Sequence, residues 1–270
     1  MLISDTKNVE SRQAFVIETI WITKKPSLSI VIPTYNEGQN ITKLIDALED
    51  SLFHLNFEII VVDDNSPDGT KRIVESLKSQ YRNIKIFQRS GKLGLSSAVL
   101  YGFERAEAKV LAVMDADMQH PPELLPKMYE KISEGYDLVV ASRYIEGGGI
   151  ESWKIQRVLI SIGATFLAHL LLPSTRRVKD IMSGCFMLRS KDINGASFSP
   201  IGFKVLLEIL VKCEFNRVIE VPYIFKNRQN GKSNLSPKEM RSYVIHLCKI
   251  FISRFRDRKN RNVGLACDSR

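Results

Sequence analysis

Asp115 and Asp117 stand one residue apart at the end of the apolar run Val110-Leu111-Ala112-Val113-Met114. Such a run reads as a buried strand. If the strand continues through Asp117, its period of two sets both carboxylates on one side. Two acids held that close repel each other unless a cation offsets them. A hard divalent ion held by one or two carboxylates is how Mg²⁺ is commonly shared between a protein and substrate phosphates. Gln119 offers a neutral oxygen two residues further on. The same spacing also fits a strand that ends in a solvated acidic turn, and D-x-D alone does not separate the two.

Two more polar clusters close apolar runs: Tyr35-Asn36-Glu37 after Leu28–Pro33, and Asp63-Asp64 after Phe57–Val62. Between the runs lie helical patterns. Asn40 is placed to cap a helix carrying Ile41, Leu44, Ile45 and Leu48; another runs through Ile73, Val74 and Leu77; a third opens at Gly91 and Gly94. Ile84–Phe87 adds a further strand. The alternation predicts an α/β fold with a mostly parallel central sheet flanked by helices. Ligands of such sheets sit beyond the carboxyl ends of the strands. The three polar clusters converge there, which favours a site over a solvated turn. Neither a G-x-x-x-x-G-K-[ST] loop nor a G-x-G-x-x-G opening is present, so glycine-rich backbone does not cradle phosphate here. Phosphates met by a metal and arginines suit a nucleotide-sugar enzyme.

Beyond residue 120 the pattern predicts a helix over Met128–Glu134 and a strand over Asp137–Ala141 ending at Ser142-Arg143-Tyr144. Gly147-Gly148-Gly149 reads as a flexible link. A helix from Trp153 to Leu172 sets Arg157 and Ser161 on one face, four residues apart. Its other faces are mostly apolar and suit either a lipid interface or the core. Ser183–Leu188 reads as a turn and strand. Lys204–Lys212 reads as a helix with Leu206, Leu207 and Leu210 buried and Glu208 offered to the crevice. Val218–Phe225 reads as one strand, followed by the basic loop Arg228-Gln229-Asn230-Gly231-Lys232-Ser233. Pro237 starts a terminal amphipathic helix with Tyr243, Leu247, Ile250, Phe251 and Ile252 among basic residues.

The chain has 270 residues, 44% of them hydrophobic, which is ordinary for a globular protein. The longest apolar stretch, Val158 to Leu172, contains His169 and falls short of the roughly 18 residues of a spanning helix. The first residues are too charged for a signal peptide. Cys185, Cys213, Cys248 and Cys267 show no metal or redox spacing, which suits reduced thiols in a cytosolic protein. The net charge of +9 gathers toward the end of the chain, where Lys249, Arg254, Arg256, Arg258, Lys259 and Arg261 face Asp257. Such a tail suits an anionic surface. It lacks the interleaved aromatics of a nucleic-acid binder, so a membrane is the expected surface and nucleic acid is not.

Taken together, Ile32-Pro33-Thr34-Tyr35-Asn36-Glu37, Val61–Thr70 with Asp63-Asp64-Asn65-Ser66-Pro67-Asp68-Gly69, and Met114-Asp115-Ala116-Asp117-Met118-Gln119-His120-Pro121 resemble the inverting family 2 glycosyltransferases, which have the GT-A-like fold. Ser142-Arg143-Tyr144, Arg157 with Ser161, Asp180 with Ser183-Gly184, Gly202-Phe203-Lys204 with Leu207-Glu208, and Arg228 with Gly231 and Ser233 narrow the resemblance to the dolichol-phosphate mannose synthases. The resemblance implies an N-terminal extension over 1–27, a catalytic domain over 28–235 and a basic tail over 236–270. It implies transfer of mannose from GDP-mannose to dolichyl or another polyprenyl phosphate. Pro33, Tyr35, Glu37, Val62 and Asp64 are then expected to hold base and ribose, with Asp115 and Ala116 along the donor. Asp117 and Gln119, next to Asp115, are expected to hold Mg²⁺ or Mn²⁺. Arg143 and Arg228 would clamp phosphates, and Arg157 and Ser161 would receive the acceptor phosphate. Asn234 departs from the family, which usually has lysine there, and Lys232 is the nearest substitute. That departure leaves UDP-glucose as an alternative donor; an inactive scaffold at the membrane surface is the non-enzyme alternative. Transmembrane pairs found in some members are missing, so the chain resembles the single-domain type, which works peripherally on the cytoplasmic face of a membrane or with a small membrane subunit. A phosphate monoester is anionic near neutral pH and needs no strong base. Asp180 is the one candidate base, and it could equally orient Arg143 or Arg157.

Overall fold

The computed structural model describes residues 25–151, 155–199, 204–226 and 240–253. In chain order the elements are β1 (Leu28–Thr34), α1 (Ile41–Leu52), β2 (Phe57–Asp63), α2 (Thr70–Leu77), β3 (Ile84–Gln88), α3 (Leu95–Phe103), β4 (Val110–Val113), α4 (Leu124–Ser133), β5 (Leu138–Ser142), β6 (Gly149–Ile150) and α5 (Ile155–Leu171). There follow β7 (Phe186–Arg189), α6 (Val205–Lys212), β8 (Val218–Pro222) and β9 (Ile224–Phe225), and a helix over 240–253, α7. The N-terminal extension up to residue 24, Trp153, Gly202, Phe203, the loop with Arg228, Lys232 and Asn234, and the tail from 254 lie outside the described residues.

Among the described residues the main sheet has the order β3-β2-β1-β4-β7-β5-β8, with β6 and β9 paired separately. β7 runs antiparallel to β4 and β5, and the other pairs are parallel. β1 and β2 are buried along their whole length. Helices cover both faces of the sheet, which is why these strands are nearly continuous apolar runs. One face packs on α1, α2 and α4 through Leu44, Leu48, Val74, Leu125 and Met128. The other packs on α3, α5, α6 and α7 through Val99, Ala168, Leu206, Leu207 and Leu247. The chain moves outward from β1 to β2 and β3, then crosses back to set β4 on the other side of β1. That reversal opens a crevice at the carboxyl ends of β1 and β4.

Several elements differ from the sequence expectation. β4 ends at Val113 and does not continue through Asp117; a turn at Ala116–Asp117 and a left-handed Met118 (φ 60°) follow it. α4 begins at Leu124, four residues earlier than expected. Val218–Phe225 is two strands in two sheets, broken at Tyr223. Asn40 occupies the N-cap position of α1, but its side chain donates to Glu37 Oε2 at 2.8 Å and makes no cap bond. Gly147-Gly148-Gly149 is not a loose link. A Cβ on Gly148 would lie 2.7 Å from the Ser142 carbonyl, so glycine lets the turn after β5 fold back on the strand. Gly149 then enters β6, its N–H bonded to the Tyr223 carbonyl at 3.1 Å.

Candidate active site

The loops after β1, β2 and β4 form one rim. Asn36, Asn65 and Met118 are the non-glycine residues with positive φ among those described, one in each loop. Asparagine tolerates that region through local hydrogen bonding, methionine does not, and such strain persists where the surroundings enforce it. Side chains knit the first two loops together. Asp63 accepts bonds from the Thr34 hydroxyl (3.1 Å) and the Ser66 N–H (3.0 Å). Asp68 accepts from the Gly38 N–H (2.9 Å) and from the N–H and hydroxyl of Thr70. Burial opposes the Asp68 charge, but these bonds outweigh it and hold the carboxyl below its usual pKa.

The neighbouring Asp64 is buried and fully engaged. Arg89 Nε donates to its Oδ1 at 2.6 Å, and the N–H groups of Leu93 and Gly94 donate to Oδ2 at 2.9 Å each. Arg89 is itself held by the Ser97 hydroxyl and the Gly94 carbonyl. Asp64 therefore pins the turn before α3 to the end of β2. Tyr35 stands exposed above this turn with the Lys92 ammonium 4.0 Å from its ring centroid. Pro33 lies opposite Val62 in the β1–β2 register, and the Val62 side chain is in the core. Glu37 is half-buried in the rim.

Across the rim, Ala116 and Asp117 are buried and Asp115 is half-buried. Asp117 Oδ1 accepts the Gln119 N–H at 3.1 Å, and Gln119 Nε2 donates to the Lys226 carbonyl at 3.0 Å. The amide nitrogen being committed, Gln119 is left with its oxygen as a ligand. The Asp115 carboxylate rests directly on Gly184, where a Cβ would come within 2.0 Å of Oδ2. Among the described residues no three His, Cys, Asp or Glu side chains gather as a closed metal cage. A carboxylate and an amide oxygen, with a second carboxylate beside them, fit a hard ion that keeps positions for phosphate oxygens and water.

Behind the acids lies a charged cluster. Arg143 ends β5, and Asp180 takes its guanidinium bidentately, from Nε and Nη2 at 2.7 Å each, as well as its backbone N–H at 3.0 Å. Both are buried, Asp180 completely. Burial opposes the Arg143 charge, and the bonds to Asp180 more than offset it, holding the pKa above its ordinary value. Ser161 on α5 accepts the Tyr144 hydroxyl at 2.9 Å, tying that helix to the residue after Arg143. Lys204, just before α6, donates to the Met182 carbonyl at 3.0 Å. Burial first, and then the charge of Arg143, push its pKa down to about 8, while Asp115 and Asp180 oppose the shift and Arg157 adds to it. His120 is buried against Tyr223 (ring centroids 5.1 Å apart) and Phe225 (5.9 Å). Burial pushes its pKa down to about 4, so it stands neutral in the loop that carries Gln119.

Asp115, Ala116, Asp117 and Gln119 thus follow β4, Arg143 follows β5, and Arg157 and Ser161 lie on α5, which Ser161 ties to Tyr144; Tyr35, Glu37 and Asp64 follow β1 and β2. Glu208 does not join them. It turns to the α6–α7 contact, where the Ser199 N–H and Lys212 each meet Oε1 at 2.7 Å. Arg89, Lys92 and the Tyr144 hydroxyl carry no role in the sequence reading. A lone arginine one residue past a strand gives no sign of a partner 25 positions earlier.

Residues 29–196 match the profile described as Glycosyl transferase family 2. The chain belongs to glycosyltransferase family 2. Curated family relatives named dolichol-phosphate mannosyltransferase are similar over most of the chain. The Pyrococcus furiosus protein is 44% identical over 83% of the chain. The Saccharomyces cerevisiae protein is 36% identical over 84% of the chain and 88% of its own length. The chain spans 63% of the Pyrococcus protein, less than two thirds of it. The fold is that of GT-A glycosyltransferases: Mycobacterium tuberculosis glucosyl-3-phosphoglycerate synthase, solved with Mn²⁺, UDP and glucosyl-3-phosphoglycerate, superposes with a TM-score of 0.64 at 19% identity, over 85% of this chain and 80% of that one.

Proposed function

We propose that this family 2 protein transfers mannose from GDP-mannose to the phosphate of a dolichyl or other polyprenyl phosphate, with inversion, using Mg²⁺ or Mn²⁺. The names of its curated relatives support the donor class and the acceptor. The observation that carries the reading is the buried, bidentate Arg143–Asp180 pair just past the end of β5. Asp180 already accepts three bonds from Arg143 and is completely buried, so it orients the arginine and is not the base that a hydroxyl acceptor needs. A phosphate acceptor needs none.

Asp117 and Gln119, with Asp115 beside them, hold the metal in this reading; when bound, the ion supplies Lewis-acid stabilisation of the departing diphosphate. Tyr35 and Glu37 border the base, and Asp64 acts by fixing the turn with Lys92 beside it. Arg143 and Arg228 neutralise phosphate oxygens. Arg157 and Ser161 orient the acceptor. An acceptor phosphate oxygen forms a bond to the anomeric carbon from the face opposite the nucleotide. The bond from that carbon to the diphosphate oxygen breaks, and its electron pair leaves on the diphosphate. No proton has to move.

The membrane side of the reading rests on α5 and α7. Ile155, Leu159, Ile162, Phe166 and Leu170 are exposed on α5, as are Met240, Val244, Ile245 and Ile252 on α7. The two helices are joined by the Tyr243 hydroxyl, 2.8 Å from the Ala164 carbonyl. Among the described residues no helix is long and apolar enough to cross a membrane. We place the protein on the cytoplasmic face of a membrane with this patch in the lipid interface.

The test is sugar transfer to a short prenyl phosphate from GDP-mannose and from UDP-glucose, with Mn²⁺ and with chelator. Turnover with GDP-mannose that stops on chelation is expected. Preference for UDP-glucose would replace the donor, and turnover undiminished by chelation would overturn the role given to Asp117 and Gln119.

A further inference from the structure

Gln119 and His120 are consecutive and buried, and both reach the same short segment, Tyr223–Lys226. Gln119 Nε2 donates to the Lys226 carbonyl at 3.0 Å. The His120 ring centroid lies 5.1 Å from that of Tyr223, with the planes tilted by 30°, and 5.9 Å from that of Phe225, which it meets edge-on. The Tyr223 and Phe225 rings are 6.2 Å apart, so the three form one cluster. The far side of the cluster is itself fixed. The Tyr223 N–H donates to the Ser142 carbonyl of β5, and the Tyr223 carbonyl accepts the Gly149 N–H of β6, each at 3.1 Å. β9 pairs with β6, and the Phe225 carbonyl accepts the Glu151 N–H at 3.0 Å.

The near side needs such an anchor. Met118, directly before Gln119, has a left-handed backbone (φ 60°), disfavoured for a residue with a side chain, so a more relaxed form is open to the loop once its contacts are removed. Neither His120 ring nitrogen has a hydrogen-bond partner among the described residues. Burying them so costs stability, and what the ring supplies in return is its flat face and edge against Tyr223 and Phe225.

We propose that His120 is a positioning residue for the metal: by stacking on Tyr223 and Phe225 it locks the acid loop to β9 and so aims the Gln119 side-chain oxygen at the ion. The inference rests on the metal role given above to Asp117 and Gln119, and adds a residue that touches neither the ion nor a substrate. An amide turned by half a rotation presents N–H donors, which no cation accepts. The bond to Lys226 prevents that turn only while the loop and β9 keep their register, and the ring cluster holds the register. Contacts that orient a metal ligand in this way typically contribute about 10–100-fold in metal affinity.

The test compares the unaltered protein with His120→Ala, His120→Phe and Tyr223→Leu. The readouts are Mn²⁺ binding in the presence of GDP, followed by the electron paramagnetic resonance of the free ion, calorimetric binding of GDP without metal, and thermal melting. His120→Ala is expected to raise the Mn²⁺ Kd about tenfold or more, with metal-free GDP binding within about twofold. His120→Phe keeps a flat ring and removes the two unbonded nitrogens, so it should recover most of the Mn²⁺ affinity and melt no lower than the unaltered protein. Tyr223→Leu alters the other side of the stack and should weaken Mn²⁺ binding too. Combined with His120→Ala it should add little, since both remove one contact. Mn²⁺ affinity within about twofold in His120→Ala, or in Tyr223→Leu if the alanine variant does not fold, overturns this inference alone. So does a phenylalanine variant that folds without recovering affinity, which would assign the effect to a ring nitrogen. Parallel losses of Mn²⁺ and metal-free GDP binding with a lowered melting temperature also overturn it, as the pattern of a residue that merely supports the fold. Absence of Mn²⁺ binding by the unaltered protein with GDP overturns the metal reading and this inference with it.

Discussion

Gly184 shows how one missing side chain can set the position of a carboxylate in the candidate site. The Asp115 carboxylate occupies the space that a Cβ would fill, with Oδ2 only 2.0 Å from the ideal Cβ position. Real atoms do not approach so closely, so Gly184→Ala must drive the carboxylate or the 182–184 turn aside. The carboxylate sits next to the Asp117–Gln119 pair and within reach of Lys204, and displacement by about an ångström in such a site can cost roughly 100-fold. Gly184→Ala is therefore expected to lower kcat/KM for sugar transfer by about that factor. The added methyl is overpacked and should cost about 1–3 kcal/mol, so the melting temperature should fall while the variant stays folded. Steady-state kinetics beside a thermal melt checks this. Full activity in the alanine variant would mean that the carboxylate position does not matter to the reaction.

At the scale of elements, the sheet depends on buried polar ties that link distant positions. Arg89 and Asp64 are both nearly completely buried and come from the ends of neighbouring strands. Removing one partner of such a pair leaves the other charge buried alone, at about 3–5 kcal/mol. Arg89→Met should lower unfolding free energy by about that amount in urea titration. It should also free the turn bearing Lys92 and Leu93, so that donor KM rises before the fold is lost. A change within about 0.5 kcal/mol would show that the pair is solvated in solution. The sequence made some of this legible. β1 and β2 are buried on both faces and so advertise themselves as apolar runs, and α6 shows its core face through Leu206, Leu207 and Leu210. The residue types of the site were equally readable, since acids and arginines cluster at strand ends. Partnership was not, because nothing in the chain shows that Asp180 takes Arg143 from 37 positions away or that Glu208 turns from the crevice to Lys212. Nor could periodicity show that β4 stops at Val113, since the turn at Ala116–Asp117 carries none of the usual turn-forming glycine, proline or asparagine.

At the scale of the whole molecule, the placement of Arg157 and Ser161 joins chemistry to a surface. They sit on α5, a helix with Ala168 as its fully buried side chain and Ile155 and Phe166 at 78% and 67% exposure. A soluble protein rarely leaves so wide an apolar face in water without a partner. α7, bonded to α5 through Tyr243 and Ala164, adds exposed Met240, Val244, Ile245 and Ile252, so in the proposed reading a lipid whose phosphate meets Arg157 would leave its chain along these side chains. Burying one large apolar side chain contributes roughly 1.5–3 kcal/mol when burial is complete. Replacing Leu159, Phe166 and Leu170 together by serine should therefore weaken binding to anionic vesicles by about tenfold or more in co-sedimentation. Because these side chains touch little of the core, the triple variant should keep its melting temperature and its turnover on a short, water-soluble prenyl phosphate. Turnover on a long polyprenyl phosphate in vesicles should fall with binding. Equal losses on both acceptors would mean that α5 is damaged as a scaffold for Arg157 and Ser161. Undiminished vesicle binding would move the docking surface elsewhere, and binding that returns only with a small membrane subunit would make a protein, rather than lipid, the occupant of the patch. The split between soluble and membrane-bound acceptor is the outcome that follows if one helix both seats the protein on the bilayer and receives the phosphate.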